Sequence, residues 1–153
     1  MIKKHILLAI ISIFLISCGF SPIYVEKNNS NLKIEKISFK GDKLINNYLN
    51  LYLKRYSKNE SSKNFIINTN TQYYKKVLSK DATGEAVDYE LSVSTKFSIT
   101  LNSKFIKDII IKEKFIMKND SDQYNRKKYE NSIKQNFANS TYEKLIIQLS
   151  GLE

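Results

Sequence analysis

Residues 87–101 read VDYELSVSTKFSITL, and this stretch decides the fold. Side chains of a β-strand point to opposite faces in turn, so a period of two separates the residues into two sets. One set is apolar or carries a methyl group, and the other is polar: Val87, Tyr89, Leu91, Val93, Thr95, Phe97, Ile99 and Leu101 alternate with Asp88, Glu90, Ser92, Ser94, Lys96, Ser98 and Thr100. The pattern predicts a long strand with one face on a core and one face in water.

Strands are predicted on both sides of this one. Residues 65–77 alternate in the same way, with Lys75 on the apolar side and Lys76 opposite, and residues 80–85 form the turn between the two strands. Asn102 and Ser103 form a tight turn into a further strand, residues 105–118. The middle of that strand, Ile109-Ile110-Ile111, is apolar on both faces. This indicates either a central strand or one covered by a partner.

The remaining elements are one strand and two helices. Residues 32–39 form a first strand whose apolar phase slips at Lys36, which predicts a bulge. Gly41 ends this strand, and Asp42 is the expected N-cap of a helix over residues 43–56. The face of that helix is expected to contain Leu44, Tyr48, Leu51 and Arg55, with Ile45, Leu49 and Tyr52 beside it. A second helix, residues 123–150, has Tyr129, Ile133, Phe137, Thr141, Leu145 and Leu149 at four-residue spacing.

This order predicts a single α+β domain over residues 32–153. A sheet with one apolar and one polar face cannot bury its apolar side alone, and neither can an amphipathic helix. We therefore expect a two-layer sandwich, with two helices packed on one face of a four-stranded sheet in the order β-α-β-β-β-α. The other sheet face, with residues such as Asp88, Glu90 and Lys96, would be open to water or to a partner.

The first residues predict a lipoprotein signal peptide, residues 1–17. Lys3 and Lys4 precede an apolar run over residues 6–16, which is too short for a membrane-spanning helix. Leu15-Ile16-Ser17-Cys18 has the form of a lipobox, in which the thiol of Cys18 would carry a diacylglyceryl group and anchor the protein. The alternative is an ordinary secretory signal with an incidental cysteine. Residues 18–31 would be the lipidated N-terminus and tether, and Gly19 after the cysteine favours the outer membrane.

The formal net charge is +10, and loss of the two signal lysines would leave +8. A basic balance of this size fits nucleic acid, anionic lipid or a phosphorylated glycan. Because the signal peptide predicts export of the chain, nucleic acid is the least suitable of these partners, and anionic lipid is preferred. The composition, rich in Lys, Asn and Ile, is also what an AT-rich genome encodes, which would explain much of the charge without a function.

The inventory of reactive side chains argues against an enzyme. The single histidine, His5, lies in the predicted signal, and the single cysteine is the predicted lipid site. No Ser-His-Asp or Cys-His arrangement and no His/Cys zinc site can then be built, and no cofactor is implied. Asp88 and Glu90 lie on one strand face as a possible acid pair, but such pairs are more often part of a solvated surface.

The start of the mature chain resembles a known family. Cys18-Gly19-Phe20-Ser21-Pro22-Ile23-Tyr24 is similar to the Cys-Gly-Phe-x-Pro-Leu-Tyr start of LptE-type lipopolysaccharide-assembly lipoproteins of alphaproteobacteria, with Ile23 in place of leucine. The strand and helix over residues 34–53, the Asp81-Ala82-Thr83-Gly84 turn and the long last helix also fit. Lys and Asn stand at many positions where that family would have Arg and Ala. Only the start is a specific motif.

The resemblance implies a non-enzymatic role at the outer membrane. Such proteins plug the LptD β-barrel, help it fold and help to pass lipopolysaccharide to the outer leaflet. Basic residues would then meet the phosphates of lipid A. One group of candidates is Lys75, Lys76 and Lys80, and a second lies at the start of the last helix: Arg126, Lys127 and Lys128. The alternative for each group is a set of solvated surface residues without a ligand.

Two other interpretations remain open. The protein would be an auxiliary lipoprotein of a phospholipid or solute transport system that docks on a periplasmic channel, or a structural lipoprotein without a transport role. These interpretations differ from the first in the partner that they require, which is a periplasmic or inner-membrane transporter in one case and none in the other.

Overall fold

The alternating stretch is the third strand of a mixed four-stranded sheet. The computed structural model describes residues 32–152, and the predicted signal peptide, the tether and Cys18 lie outside them. The strands are β1 (Lys33–Gly41), β2 (Asn64–Lys80), β3 (Ala86–Leu101) and β4 (Lys104–Lys118), and the helices are α1 (Lys43–Leu53) and α2 (Gln123–Ser150). The predicted α+β class and the order β-α-β-β-β-α are confirmed.

The strands lie side by side in chain order. β1 pairs with β2 in parallel, whereas β2–β3 and β3–β4 are antiparallel. The register of β1 shifts between Ile34 and Lys36, so the bulge predicted at the phase slip is present. The β3–β4 turn has positive φ at both central residues, 48° at Asn102 and 67° at Ser103. Two positive φ angles match the twist of a two-residue hairpin and thereby fix the register of the pair.

The core lies between the sheet and the helices. Residues that pair across neighbouring strands point to the same side of the sheet. Ile67 and its partner Ile99 point toward the helices, as do Thr95 and its partner Ile111. Most of the helical contribution comes from Ile45, Leu49 and Leu53 of α1 and from Ile133, Phe137, Ala138, Leu145 and Leu149 of α2, all buried. The predicted stripe of α2 is thus confirmed except at Tyr129, which is 48% exposed.

The predicted face of α1 was wrong. Leu51, which the pattern placed in the packed face, is 70% exposed, and Leu44 and Tyr48 are only partly buried. The residues expected to flank it, Ile45 and Leu49, are fully buried. α1 also ends at Leu53, and a 3₁₀ turn over Lys54–Lys58 continues it. Tyr48 and Tyr52 remain at the margin because a tyrosine with a half-exposed ring keeps its hydroxyl in water.

One expectation for β4 was also wrong. Among the strands of residues 32–152, the triple-isoleucine strand is an edge strand and not a central one, since it pairs with β3 alone. Ile109 and Ile111 are buried beneath the helices, whereas Ile110 is 56% exposed on the opposite face. The other possibility, that a partner covers this strand, is not tested by the structure.

The connection from β1 to α1 is tight. Gly41 has a φ of +94°, and a β-carbon there would lie 1.8 Å from the carbonyl oxygen of Thr71. Only glycine combines this conformation with this approach. Beneath it, the Thr71 hydroxyl donates to Asn46 Oδ1 at 2.7 Å, and Asn46 Nδ2 donates to the Lys40 carbonyl at 3.0 Å. Buried polar atoms are thereby paired where the helix enters the core.

Candidate functional site

One end of the sheet is built differently from the rest. We call it the tip; it comprises residues 74–91 of the β2–β3 hairpin, residues 115–118 of β4 and residues 124–129 of α2. The β2–β3 register shifts twice here, between Val77 and Ser79 and again between Ser79 and Lys80. Irregularities of this kind increase the local twist of a strand. The hairpin is therefore locally irregular where it leaves the cover of the helices.

The turn of the hairpin is held by its own side chains. One carboxylate oxygen of Asp81 accepts from the backbone N–H groups of Thr83 and Glu85, both at 2.9 Å, and from the Thr83 hydroxyl at 2.7 Å. Gly84 has a φ of +87° and closes the turn. The hydroxyl and backbone donors hold the pKa of Asp81 below its usual value. The sequence predicted this turn, and its internal hydrogen bonds keep it in one conformation.

Large apolar side chains are exposed at the tip. Eight of the twelve exposed large hydrophobic residues in the described part of the chain lie here: Tyr74, Val77, Leu78, Val87, Phe115, Ile116, Tyr124 and Tyr129. Ile116 is 61% exposed and Leu78 is 50% exposed. The Phe115 and Tyr129 rings meet edge to face at 6.2 Å. Exposed apolar residues gathered at one end of a protein indicate an interaction surface.

The structure does not bring the first group of predicted lysines together. Lys75 lies on the helix side of the sheet, where its Nζ is 2.6 Å from Glu130 Oε2 and 4.4 Å from the centre of the Tyr89 ring. Lys76 lies on the opposite face, in register with Glu90. Lys80 is at the end of β2, exposed and opposite Ala86. Lys75 is thus engaged within the protein, whereas Lys76 and Lys80 face solvent.

Glu130 joins Lys75 to a wider set of bonds between α2 and the sheet. Its other oxygen accepts from the Tyr73 hydroxyl at 2.8 Å. Burial raises the pKa of Glu130, but hydrogen bonds from Lys75 and Tyr73 outweigh this and leave the pKa below its usual value. Burial, together with the bond to Glu130, raises the pKa of Tyr73 well above its usual value. Lys75 is therefore a structural residue that fixes α2 on the tip.

The second predicted group, Arg126, Lys127 and Lys128, likewise contains one residue engaged within the protein and two that face solvent. Arg126 donates to the Asp120 carbonyl at 2.6 Å and to Asn119 Oδ1 at 3.3 Å, so it closes the turn before α2. Lys127 and Lys128 are exposed. Within residues 32–152, no carboxylate lies within 4.0 Å of their amino groups or of those of Lys76 and Lys80. Four unpaired lysines therefore accompany the apolar side chains of the tip.

The sequence reasoning identified the charges and missed the exposed apolar residues. Val77-Leu78 and Phe115-Ile116 are pairs of adjacent apolar residues near strand ends. An alternating strand can bury only one member of such a pair. That signal was present in the sequence and is the one that would have located the tip.

The open face of the sheet is the other large polar surface. Ser92, Ser94 and Lys96 of β3 face outward as predicted, in register with Tyr74, Gln72 and Asn70 of β2. Glu90 lies 3.5 Å from Lys114, and Asp88 accepts from the Ser79 hydroxyl at 2.6 Å. The two carboxylates thus belong to separate cross-strand pairs.

Within residues 32–152, no group of three or more His, Cys, Asp or Glu side chains is placed to hold a metal ion. Neither helix of this part of the chain combines the length and the apolar character that crossing a membrane requires.

Comparison with known proteins reveals similarity of structure and not of sequence. No family model matches the chain. No curated protein sequence matches it either. Solved structures do match. Rare lipoprotein B from Shewanella oneidensis is 14% identical with a TM-score of 0.55, and the match covers 74% of this chain and 91% of that one.

Two more structures agree with it. Lipoprotein B from Nitrosomonas europaea is 13% identical with a TM-score of 0.55, covering 79% of this chain and 86% of that one. A minor lipoprotein from Acinetobacter baumannii is 12% identical with a TM-score of 0.54, covering 76% and 90%. Identities this low establish the fold alone. The described domain has the fold of these bacterial lipoproteins.

Proposed function

We propose that this protein is an outer-membrane lipoprotein that assists lipopolysaccharide assembly. It acts as the plug and folding partner of an LptD-type β-barrel and contacts lipopolysaccharide through the tip. Cys18 carries the lipid anchor. The observation that carries the proposal is the tip, where exposed apolar side chains and unpaired lysines lie together. The solved structures that share its fold are of lipoproteins, which supports the lipid anchor.

The chemistry of the tip fits an anionic amphiphile. Acyl chains would cover Leu78, Val87 and Ile116, and burial of apolar surface contributes roughly 25 cal/mol per Å². Phosphates would meet Lys76, Lys80, Lys127 and Lys128, whose amino groups are charge partners for phosphate oxygens. Lys75 and Arg126 act indirectly, because both are occupied in holding the tip together.

The rest of the domain fits a plug. The open face is lined mostly by serine, threonine, asparagine and lysine, and the lumen of a large outer-membrane barrel is polar as well. A domain that is mostly polar on one face and firmly packed on the other can fill such a lumen, and the exposed Ile110 of the open face would be covered there as well. The single histidine lies in the predicted signal peptide and the single cysteine is the proposed lipid site, so we propose a non-enzymatic role.

The first experiment is co-purification of the tagged, lipidated protein from mildly solubilised membranes. A large β-barrel recovered in stoichiometric amount, and lost with Cys18→Ser, is the expected result. Recovery of a transporter complex would instead favour the auxiliary role in phospholipid or solute transport. Recovery of no partner would favour a structural lipoprotein.

The second experiment measures lipopolysaccharide binding directly. The variant with Lys75, Lys76 and Lys80 all changed to Ala should bind more weakly than the parent. A variant with only Lys76 and Lys80 changed should lose nearly as much, because Lys75 is engaged with Glu130. Changing Lys104 and Lys107, at the other end of β4, is the matched control. Binding by the triple variant as tight as that of the parent would remove these lysines from the proposal.

A further inference from the structure

The open face contains a concavity at the end away from the tip. Its volume is about 310 Å³, and it is lined by Ser38 and Lys40 of β1, residues 68–70 of β2, and Lys96 and Ser98 of β3. Asn70 and Tyr74, the residue at which the tip begins, are four residues apart on β2, which is about 13 Å along a strand. The concavity is therefore separate from the tip.

The concavity is lined by residues of only four types. Every residue that lines the concavity is a serine, threonine, asparagine or lysine. Small-molecule pockets of about 300–1,000 Å³ are lined mostly by apolar and aromatic side chains, with a few polar groups for orientation. A ligand of this concavity would be held by hydrogen bonds and charge between aliphatic stems, as a sugar can be, and it cannot rely on aromatic stacking.

The register of the sheet arranges the polar groups in two rows. Ser38, Asn68 and Ser98 lie opposite one another across three strands, and Lys40, Asn70 and Lys96 form the adjacent row. The Ser38 hydroxyl donates to Asn68 Oδ1 at 2.6 Å, which directs the Asn68 amide nitrogen away from β1. Neither that nitrogen nor the Asn70 side chain has a hydrogen-bond partner within residues 32–152. The rows thus offer several unused N–H donors.

The two lysines differ in their surroundings. Lys96 Nζ lies 2.8 Å from Asp108 Oδ2, and the Ser98 hydroxyl donates to the other oxygen of Asp108 at 2.6 Å. Those hydrogen bonds hold the pKa of Asp108 below its usual value, and Lys96 thus has a carboxylate partner. No described carboxylate lies within 4.0 Å of Lys40 Nζ. The concavity thus carries a net positive charge at Lys40.

Asparagine is also a poor strand residue. Asn68 and Asn70 both face outward from β2, a strand with neighbours on each side. Threonine or valine would suit these exposed strand positions better. Residues that violate local preference are expected where function requires them.

From these observations we infer that the concavity binds a phosphorylated sugar. Lys40 contacts the phosphate, the Asn68 and Asn70 amides donate to phosphate and ring oxygens, and Ser38 and Ser98 face the hydroxyls. The concavity lies on the open face, which the proposed function places in a polar lumen, but the binding of a small soluble ligand by the isolated chain can be tested independently of that function.

The test is titration of the full isotope-labelled chain, in micelles of a detergent without a sugar head group, followed by amide NMR. Glucose 6-phosphate should shift the resonances of the lining residues at millimolar concentration. Inorganic phosphate should bind more weakly, and glucose should produce no shift. Lys40→Gln and Asn70→Thr should each weaken the binding of glucose 6-phosphate at least about fivefold.

Matched variants keep the test decisive. Lys112→Gln removes an open-face lysine outside the concavity and should leave binding unchanged. Asn70→Thr should fold at least as well as the parent because threonine favours strands. The inference is overturned if no lining resonance shifts, if Lys112→Gln weakens binding as much as Lys40→Gln, or if inorganic phosphate binds as tightly as glucose 6-phosphate.

Discussion

Lys134 of α2 bonds the same carboxylate that caps α1, since its Nζ lies 2.7 Å from Asp42 Oδ2. The other oxygen of Asp42 accepts from the backbone N–H groups of Leu44 and Ile45. Lys134 also lies 3.9 Å from the centre of the Tyr73 ring. One side chain thereby joins the start of α1, the middle of α2 and the sheet. Burial raises the pKa of Asp42, but its backbone hydrogen bonds and Lys134 outweigh this and leave it below the usual value.

Replacing Asp42 should lower the free energy of unfolding more than replacing Asp122, the N-cap of α2. Asp42→Ala removes the cap, at about 1 kcal/mol. It also leaves the mostly buried ammonium group of Lys134 without its partner, which should lower the free energy of unfolding by about 1–3 kcal/mol more. Asp122 caps α2 but is exposed and forms no ion pair among the described residues, so Asp122→Ala should cost only the cap. Urea denaturation measures both losses, and equal losses would contradict the coupling.

Two glycines with positive φ angles provide a matched pair. Gly41→Ala should lower the free energy of unfolding by more than about 4 kcal/mol, because strain and a backbone collision add together. Gly84 has a similar φ of +87° but nothing within 4 Å of the position of a new β-carbon. Gly84→Ala should cost only the conformational strain, about 1–2 kcal/mol. A similar loss in both variants, measured by thermal unfolding, would mean that the Thr71 contact is not limiting.

Stability should fall on the acid side of about pH 5. The pKa values of Asp42 and Glu130 are lower in the folded protein than in the unfolded chain. Their contribution is thus complete above the unfolded values, near 4, and is lost as the pH falls through the folded values. Glu130→Gln should be less stable at pH 7 and should show a shallower decline. Urea midpoints between about pH 3 and 7 test this, and an unchanged slope in the variant would exclude Glu130 as a contributor.

The apolar part of the tip should matter for ligand binding and not for folding. Leu78→Ser combined with Ile116→Ser should weaken lipopolysaccharide binding at least about tenfold, because the acyl contact is lost. Stability should change by less than about 0.5 kcal/mol per site, since both side chains are at least half exposed. Ile147→Ser on α2, where the side chain is 71% exposed, is the control and should bind normally. Equal weakening in the control would contradict a specific role for the tip.

The fold was predictable where a pattern was strict. The alternation in residues 87–101 set the strand, its two faces and, through them, the layer arrangement. The helix N-cap at Asp42 and the bulge near Lys36 followed from local chemistry. These features depend on residues that lie close together in the chain.

The errors arose where the outcome depended on distant residues. The packed face of α1 is set by the position of α2, so Ile45 rather than Leu51 turned inward. The position of β4 at the edge depends on which strands pair, and Ile109-Ile110-Ile111 does not encode this. The sequence also gave no sign that Lys75 pairs with Glu130, which is 55 positions further along the chain. It therefore grouped Lys75 with lysines that face solvent.

The parallel pairing of β1 with β2 has a consequence for the order of folding. The meander of β2, β3 and β4 joins neighbours through short turns, so its contacts are local and close quickly. β1 instead reaches β2 only through a crossover that contains α1, and it must therefore wait until that helix has docked. We expect the first strand of the domain to be the last to join the sheet. Partly folded molecules would then expose the edge of β2 until late in folding.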